Sequence, residues 1–60
     1  MLVNVQFADS SSETVVTYLC AAQDPAVFEN QGEVDVTDPR WHAFYERLDA
    51  YAQQTVPAPA

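Results

Sequence analysis

The first residues of the chain alternate between apolar and polar side chains. Val3, Val5 and Phe7 fall on one side of an extended chain, with polar residues between them. This period of two, with β-branched residues, predicts a strand that has one buried face. Residues 9–13 contain no apolar side chain and are rich in Ser and Asp, which hydrogen-bond the local backbone. They therefore predict the turn of a hairpin.

The second apolar segment, residues 14–22, is a dense run of β-favouring side chains. Val16, Tyr18 and Cys20 fall on one face of the predicted strand, and Val15, Thr17 and Leu19 fall on the other. Both faces therefore carry apolar side chains. A strand with two apolar faces is either central in a sheet or leaves one face as a contact surface. We expect the face that bears Val16 and Tyr18 to lie against the core.

The loop after this strand contains two turn signals. Asp24 followed by Pro25 predicts a turn or one short helical turn, and Phe28 is the apolar residue expected to anchor the loop to the core. Residues 30–32 predict a second turn, because Gly32 is the only residue of the chain that adopts positive φ at little cost.

Residues 33–36 alternate again and predict a short third strand, with Val34 and Val36 inward and two acidic residues outward. Outward charges on a short strand protect a sheet edge from unwanted pairing. A helix start follows, because Asp38 is a favoured N-cap and Pro39 is favoured at the first helical position.

The helix prediction rests on an apolar stripe with helical spacing. The stripe consists of Trp41, Phe44, Tyr45, Leu48, Tyr51 and Ala52. We predict one helix from Asp38 to about Gln54, then a flexible Pro/Ala tail over residues 55–60. The fold class is α+β: a β-hairpin with a short third strand, followed by one C-terminal amphipathic helix packed on one sheet face. Residues 1–54 form its single small domain.

The small size of the chain leaves it few ways to stabilise a thin core. Its 60 residues include one cysteine, Cys20, and one histidine, His42. An internal disulfide and a four-ligand His/Cys zinc site are therefore excluded within one chain, and we expect no cofactor. Additional stabilisation would come from a second copy, as in a homodimer, or from a larger assembly.

The charge of the chain limits its partners. The chain has nine acidic residues and only two basic ones, Arg40 and Arg47, so its formal net charge is −7. Direct binding to nucleic acid or to an anionic membrane is not expected, since both need clustered Lys and Arg. The acidity favours a role in solubility; the alternative is an acidic inhibitor or DNA mimic that binds a basic partner. No signal peptide or membrane span is predicted, so we expect a cytoplasmic or virion-associated protein.

The candidate catalytic residues have simpler explanations. The serines at 10–12 fit a turn, and His42 with Glu46 fits a surface pair on a helix. Cys20 has no neighbouring positive charge in the sequence, so we expect a small buried apolar residue. The prediction is a protein that is not an enzyme.

Aromatic residues are the candidates for partner contact, because Tyr, Trp and Arg dominate protein interfaces. We single out Tyr18, Trp41, Tyr45 and Tyr51. For Trp41 we favour a role in the core, whereas Tyr45 and Tyr51 flank the helical stripe and are the better surface candidates.

One further pattern comes from three short motifs taken together. They are Gln23-Asp24-Pro25, Asn30-Gln31-Gly32-Glu33-Val34, and Asp38-Pro39-Arg40-Trp41 with Phe44. The chain from Phe7 to Leu48 resembles short proteins encoded in phage and prophage genomes of proteobacteria, often beside tail or tail-fibre genes. The resemblance implies a role around the virion tail or its assembly, with a phage tail component as partner, and it supplies no catalytic residues.

Overall fold

A computed structural model describes all residues from 1 to 60. Its elements are β1 (Leu2–Phe7), β2 (Val15–Leu19), β3 (Gln31–Asp35), α1 (Pro39–Arg47) and α2 (Ala50–Gln53). The three strands form one sheet, and α1 packs against one of its faces. The predicted α+β class, with a hairpin, a third strand and a C-terminal helical segment, is confirmed.

The strand order places β1 in the middle of the sheet. The order is β2-β1-β3, and β1 is antiparallel to both of its neighbours. β2 and β3 therefore run parallel to each other at the two edges. A central position for the second strand, one of the two explanations for its apolar character, is wrong.

A β-bulge changes which residues of β2 face the core. Gln6 pairs with Thr17, but Phe7 pairs with Val15, so Val16 is an extra residue without a partner. The bulge turns Val15 inward, where it is fully buried, and leaves Val16 with 45% of its surface exposed. The expectation that Val16 faces the core is therefore wrong.

The core lies between the sheet and α1. It consists of eight buried side chains: Val3, Val5, Phe7, Val15, Val34, Val36, Trp41 and Phe44. The Trp41 ring lies at its centre, 5.8 Å from the ring of Tyr18 and 5.4 Å from that of Phe44. The inward orientation of Val34 and Val36 is confirmed, and Tyr18, half-buried, packs against the cluster as predicted for its face.

The loop between β2 and β3 joins the two edges of the sheet, and it contacts the face that carries Gln6, opposite the core face of Val5 and Phe7. The Gln6 amide donates to the carbonyl of Glu29 at 3.1 Å. The Gln31 side chain accepts from Gln23 N and donates to Gln23 O, both at 2.7 Å. Amide side chains of the sheet thus hold the loop, whereas Phe28, the predicted anchor, is only half-buried and lies outside the core cluster.

The predicted turn at 30–32 is wrong. Gly32 lies inside β3, opposite Val5, and its φ is not positive; Asn30, just before the strand, has a φ of 58°. Position 32 leaves little space for a side chain. A Cβ atom there would lie 2.6 Å from Cε2 of Phe7, closer than side-chain carbons approach one another.

The predicted start of the helix is confirmed. The Asp38 carboxylate accepts a hydrogen bond from Arg40 N at 2.8 Å, and Pro39 is the first helical residue. The local signals were sufficient here because capping involves neighbours in sequence and needs no tertiary contact.

The single long helix is wrong. The chain leaves helical geometry at Leu48, where ψ is 149°, and Asp49 begins α2 by accepting from Ala52 N at 2.8 Å. A side chain that hydrogen-bonds nearby backbone in this way competes with the helix. Tyr51 consequently leaves the apolar stripe and is 78% exposed. Neither helix has the length and apolar character needed to cross a membrane.

Candidate interaction surfaces

The outer edge of β2 has free backbone groups. Ala8 N donates to Thr14 O on the β2 side of β1, and Phe7 N donates to Asn30 O on the β3 side, both at 2.8 Å. Successive residues of β1 therefore bond alternately to its two neighbours. Tyr18 pairs with Val5, and Val5 is one of the β1 residues whose backbone groups bond to β3. Its N–H and C=O groups consequently point away from the sheet.

Two arginines close the first part of this edge. The guanidinium of Arg47 donates to the carbonyl of Val15, and that of Arg40 donates to the carbonyl of Ser12 at 2.6 Å. The open stretch of the edge therefore begins at Val16. We call the stretch from Val16 to Leu19 the β2 edge.

The opposite edge of the sheet is acidic. Glu33 is exposed, and the carboxylate of Asp35 accepts from Thr37 N at 3.0 Å and lies 3.3 Å from the amino group of Met1. The Thr37 backbone N–H is the main reason why the pKa of Asp35 is below its usual value, and the Thr37 hydroxyl and the ammonium group add to the effect. Charged residues at this edge resist pairing with another strand.

Every aspartate of the chain caps a nearby turn or helix. The carboxylate-to-backbone pairs are Asp9 with Ser11, Asp24 with Ala26, Asp35 with Thr37, Asp38 with Arg40, and Asp49 with Ala52. A hydrogen bond from the Ser11 hydroxyl, and then one from Ser11 N, lowers the pKa of Asp9. The four glutamates make no such side-chain bonds and lie on four separate segments: Glu13, Glu29, Glu33 and Glu46.

The four candidate contact aromatics do not share one surface. Trp41 is fully buried, and Tyr18 is half-buried against it. Tyr45 is half-buried on α1, and Tyr51 is exposed on α2. Trp41 is therefore a core residue in this conformation, and its indole is not available to a partner while that core is covered.

The segment predicted to be a flexible tail lies against the domain. The indole Nε1 of Trp41 donates to the carbonyl of Pro57 at 3.1 Å. Val56 packs against the core cluster, and Pro57 and Pro59 are half-buried. We call residues 56–60 the tail strap. In the structure the segment predicted as a flexible Pro/Ala tail is therefore docked on the domain.

The end of the tail strap is also held by the backbone. Ala60 N donates to Val36 O at 3.1 Å, and Nε2 of His42 lies 3.1 Å from Ala60 O. The composition of the segment concealed this docking, because alternating prolines are typical of tails. The available signal was Trp41, since a buried indole N–H needs an acceptor and no predicted element supplied one.

The remaining candidate residues are dispersed. His42 and Glu46 line an open groove of about 410 Å³ along α1, but no ion pair joins them. Cys20 is exposed, so its predicted burial is wrong; it follows the last residue of β2, where the chain leaves the sheet. The structure brings no three His, Cys, Asp or Glu side chains into a group that could hold a metal ion.

Comparisons of the chain with protein-family models, with curated proteins and with solved structures found no match. The surfaces must therefore be interpreted from their own geometry. The resemblance to phage tail-associated proteins stays a prediction.

Proposed function

We propose that the protein is a non-enzymatic interaction module that binds an extended segment of another protein along the β2 edge. One observation carries the proposal: the backbone groups of Tyr18 point out of the sheet beside the exposed apolar side chain of Val16. A partner strand at this edge would extend the hydrogen-bond ladder, and its side chains would contact Val16 and the half-buried Tyr18.

The difference between the two sheet edges supports this choice. The β3 edge carries Glu33 and Asp35, which disfavour strand addition, whereas the β2 edge carries no charged side chain. The arginines at Ser12 and Val15 limit the open stretch to a few residues. We therefore expect a short partner segment.

The resemblance to phage proteins suggests where to look for the partner. We propose a component of the virion tail, or of its assembly, as the protein that supplies the strand. The test is affinity purification of the tagged chain from a host that carries the encoding prophage. Val16→Lys should lose the recovered tail component, because a charge at the edge opposes strand pairing. Val27→Lys is the matched control, since Val27 is also exposed but lies in the loop.

Each outcome of this purification has a defined meaning. If the tail component is lost with Val16→Lys and still recovered with Val27→Lys, the result supports the β2 edge as the contact surface. Equal recovery with both variants contradicts that assignment. If no tail component is recovered with the wild-type chain, the proposed role in the tail is wrong.

A second copy of the chain is a less favourable partner. Two copies that pair through β2 would each carry a net charge of −7, and their repulsion opposes association at low ionic strength. Sedimentation at high protein concentration tests this alternative. A monomer in both low and high salt would exclude a homodimer at the β2 edge.

The acidic inhibitor or DNA mimic receives less support from the positions of the acids. Mimicry needs carboxylates spaced in a row on one face. The five aspartates cap local structure, and the four glutamates lie on four separate segments. This arrangement favours the interpretation in which the acidity serves solubility.

A further inference from the structure

We propose that the groove beneath the tail strap, formed by Val36, Trp41 and His42, is a binding site for a proline-containing extended segment of another chain, of the type Val-Pro-x-Pro. In the structure the chain's own residues 56–60 fill this groove. The site is separate from the β2 edge, and the proposal does not depend on that edge.

The first recognition element is the indole of Trp41. Its N–H donates to the carbonyl of Pro57 at 3.1 Å, and this is the hydrogen bond that satisfies the buried indole. An aromatic groove that presents such a donor suits proline-rich segments, because proline residues hold the ligand extended before it binds. The ordering entropy lost on binding is correspondingly smaller.

The second element is the apolar side chain just before the first proline. Val56 packs against the same core cluster that contains Trp41. The third element is the backbone bond from Ala60 N to Val36 O at 3.1 Å. The groove therefore recognises three groups of the segment: the apolar side chain at the position of Val56, the carbonyl at Pro57 and the N–H at Ala60.

The tail strap is placed so that it can exchange with an external segment. The helix before it, α2, is a single turn with no buried residue. Elements with so few buried contacts open at low free-energy cost. A tethered ligand on a short linker acts at an effective concentration of about a millimolar, so an external segment must reach that range or bind more tightly.

The test uses the indole N–H resonance of Trp41, the only tryptophan of the chain. Val56→Asp in the full chain weakens the strap, and we expect its indole N–H to exchange with water at least tenfold faster than in the wild type. The free peptide Thr-Val-Pro-Ala-Pro-Ala, added at millimolar concentration, should restore the wild-type chemical shift of the indole N–H. It should also return the exchange of this N–H with water to the slower wild-type rate. The same peptide with Asp in place of Val should not. Val27→Asp controls for the added charge at an exposed position.

Failure of the peptide to restore the resonance in a folded Val56→Asp chain would overturn the proposal. If circular dichroism shows that this variant is unfolded, the wild-type chain provides the measurement. A spin label on the N-terminus of the peptide should broaden the Trp41 indole signal in the wild-type chain as the peptide approaches about 10 mM, above the effective concentration of the tether. An unchanged signal at that concentration, or broadening confined to other resonances, also overturns the proposal.

Discussion

At the scale of single residues, Asp38 combines two stabilising roles. Its carboxylate caps α1 through Arg40 N, and it also receives two hydrogen bonds from the Arg40 guanidinium, at 3.1 and 2.7 Å. The guanidinium in turn reaches the carbonyl of Ser12 and lies 5.3 Å from the ring centre of Phe7. One aspartate thus connects the start of the helix to the hairpin.

We expect Asp38→Ala to lower the free energy of unfolding by about 1 kcal/mol, the usual cost of losing an N-cap. Asp38→Asn should cost less than Asp38→Ala, because asparagine still caps the helix and only the ion pair with Arg40 is lost. Urea denaturation of the two variants checks the order. Equal losses would mean that the cap contributes little beyond the ion pair.

The same residue makes stability depend on pH. The Arg40 side chain, and then its backbone N–H, lower the pKa of Asp38, and the interaction raises the pKa of Arg40. A carboxyl with a lowered folded-state pKa stabilises the fold fully above its unfolded value of about 3.9, and that contribution is lost as the pH falls through the lowered pKa. Denaturation at pH 6 and at pH 3 should therefore show a smaller difference between wild type and Asp38→Asn at the lower pH. A difference independent of pH would contradict this assignment.

At the scale of elements, the close approach of β3 to the core depends on Gly32. Because a Cβ at this position would meet the ring of Phe7 at 2.6 Å, the ring and the strand cannot both keep their places in a larger variant. Phe7 is buried and stacks beneath Arg40, so its ring has little room to move.

We expect Gly32→Ala to lower the free energy of unfolding by roughly 1–3 kcal/mol, the usual cost of overpacking. In a Phe7→Leu background the same substitution should cost less, since the side chain it meets is smaller. A double-mutant cycle measured by thermal or urea unfolding gives this coupling. An additive cycle would show that the strain lies elsewhere than in the contact with Phe7.

The elements that could be predicted from sequence are those set by neighbouring residues. The alternation of β1 and the Asp38 cap are local patterns, and the structure confirms both. The bulge at Val16 could not be predicted, because it depends on how β2 aligns with β1. The break at Leu48 was concealed by a stripe that continues through Tyr51 in the sequence. The docked tail strap likewise depends on a distant indole.

At the scale of the whole molecule, the net charge opposes compactness. The chain extends 31 × 20 × 19 Å and carries a net charge of −7. The Debye length is about 30 Å at 10 mM salt and about 8 Å at 150 mM. The nine acidic groups therefore repel one another across nearly the whole molecule at low salt, whereas only close neighbours do so at physiological salt.

We expect the free energy of unfolding to rise as sodium chloride increases from 10 to 150 mM, because screening relieves this repulsion. Glu13→Gln removes a charge without losing a hydrogen bond and should stabilise the fold at low salt by roughly 0.2–0.5 kcal/mol. Asp38→Asn is the contrasting control and should destabilise it. A stability that falls with salt would mean that the two ion pairs outweigh the general repulsion.

The strand order also has a consequence for synthesis of the chain on the ribosome. β1 emerges before the other two strands, and both of them pair with it. Pairing with β2 closes a short loop and should come early, whereas pairing with β3 requires a longer closure and a later segment. In the interval the nascent chain holds at most a two-stranded hairpin, which is marginal in water, with its apolar face uncovered. The apolar face of this hairpin therefore stays exposed to water until α1 has emerged.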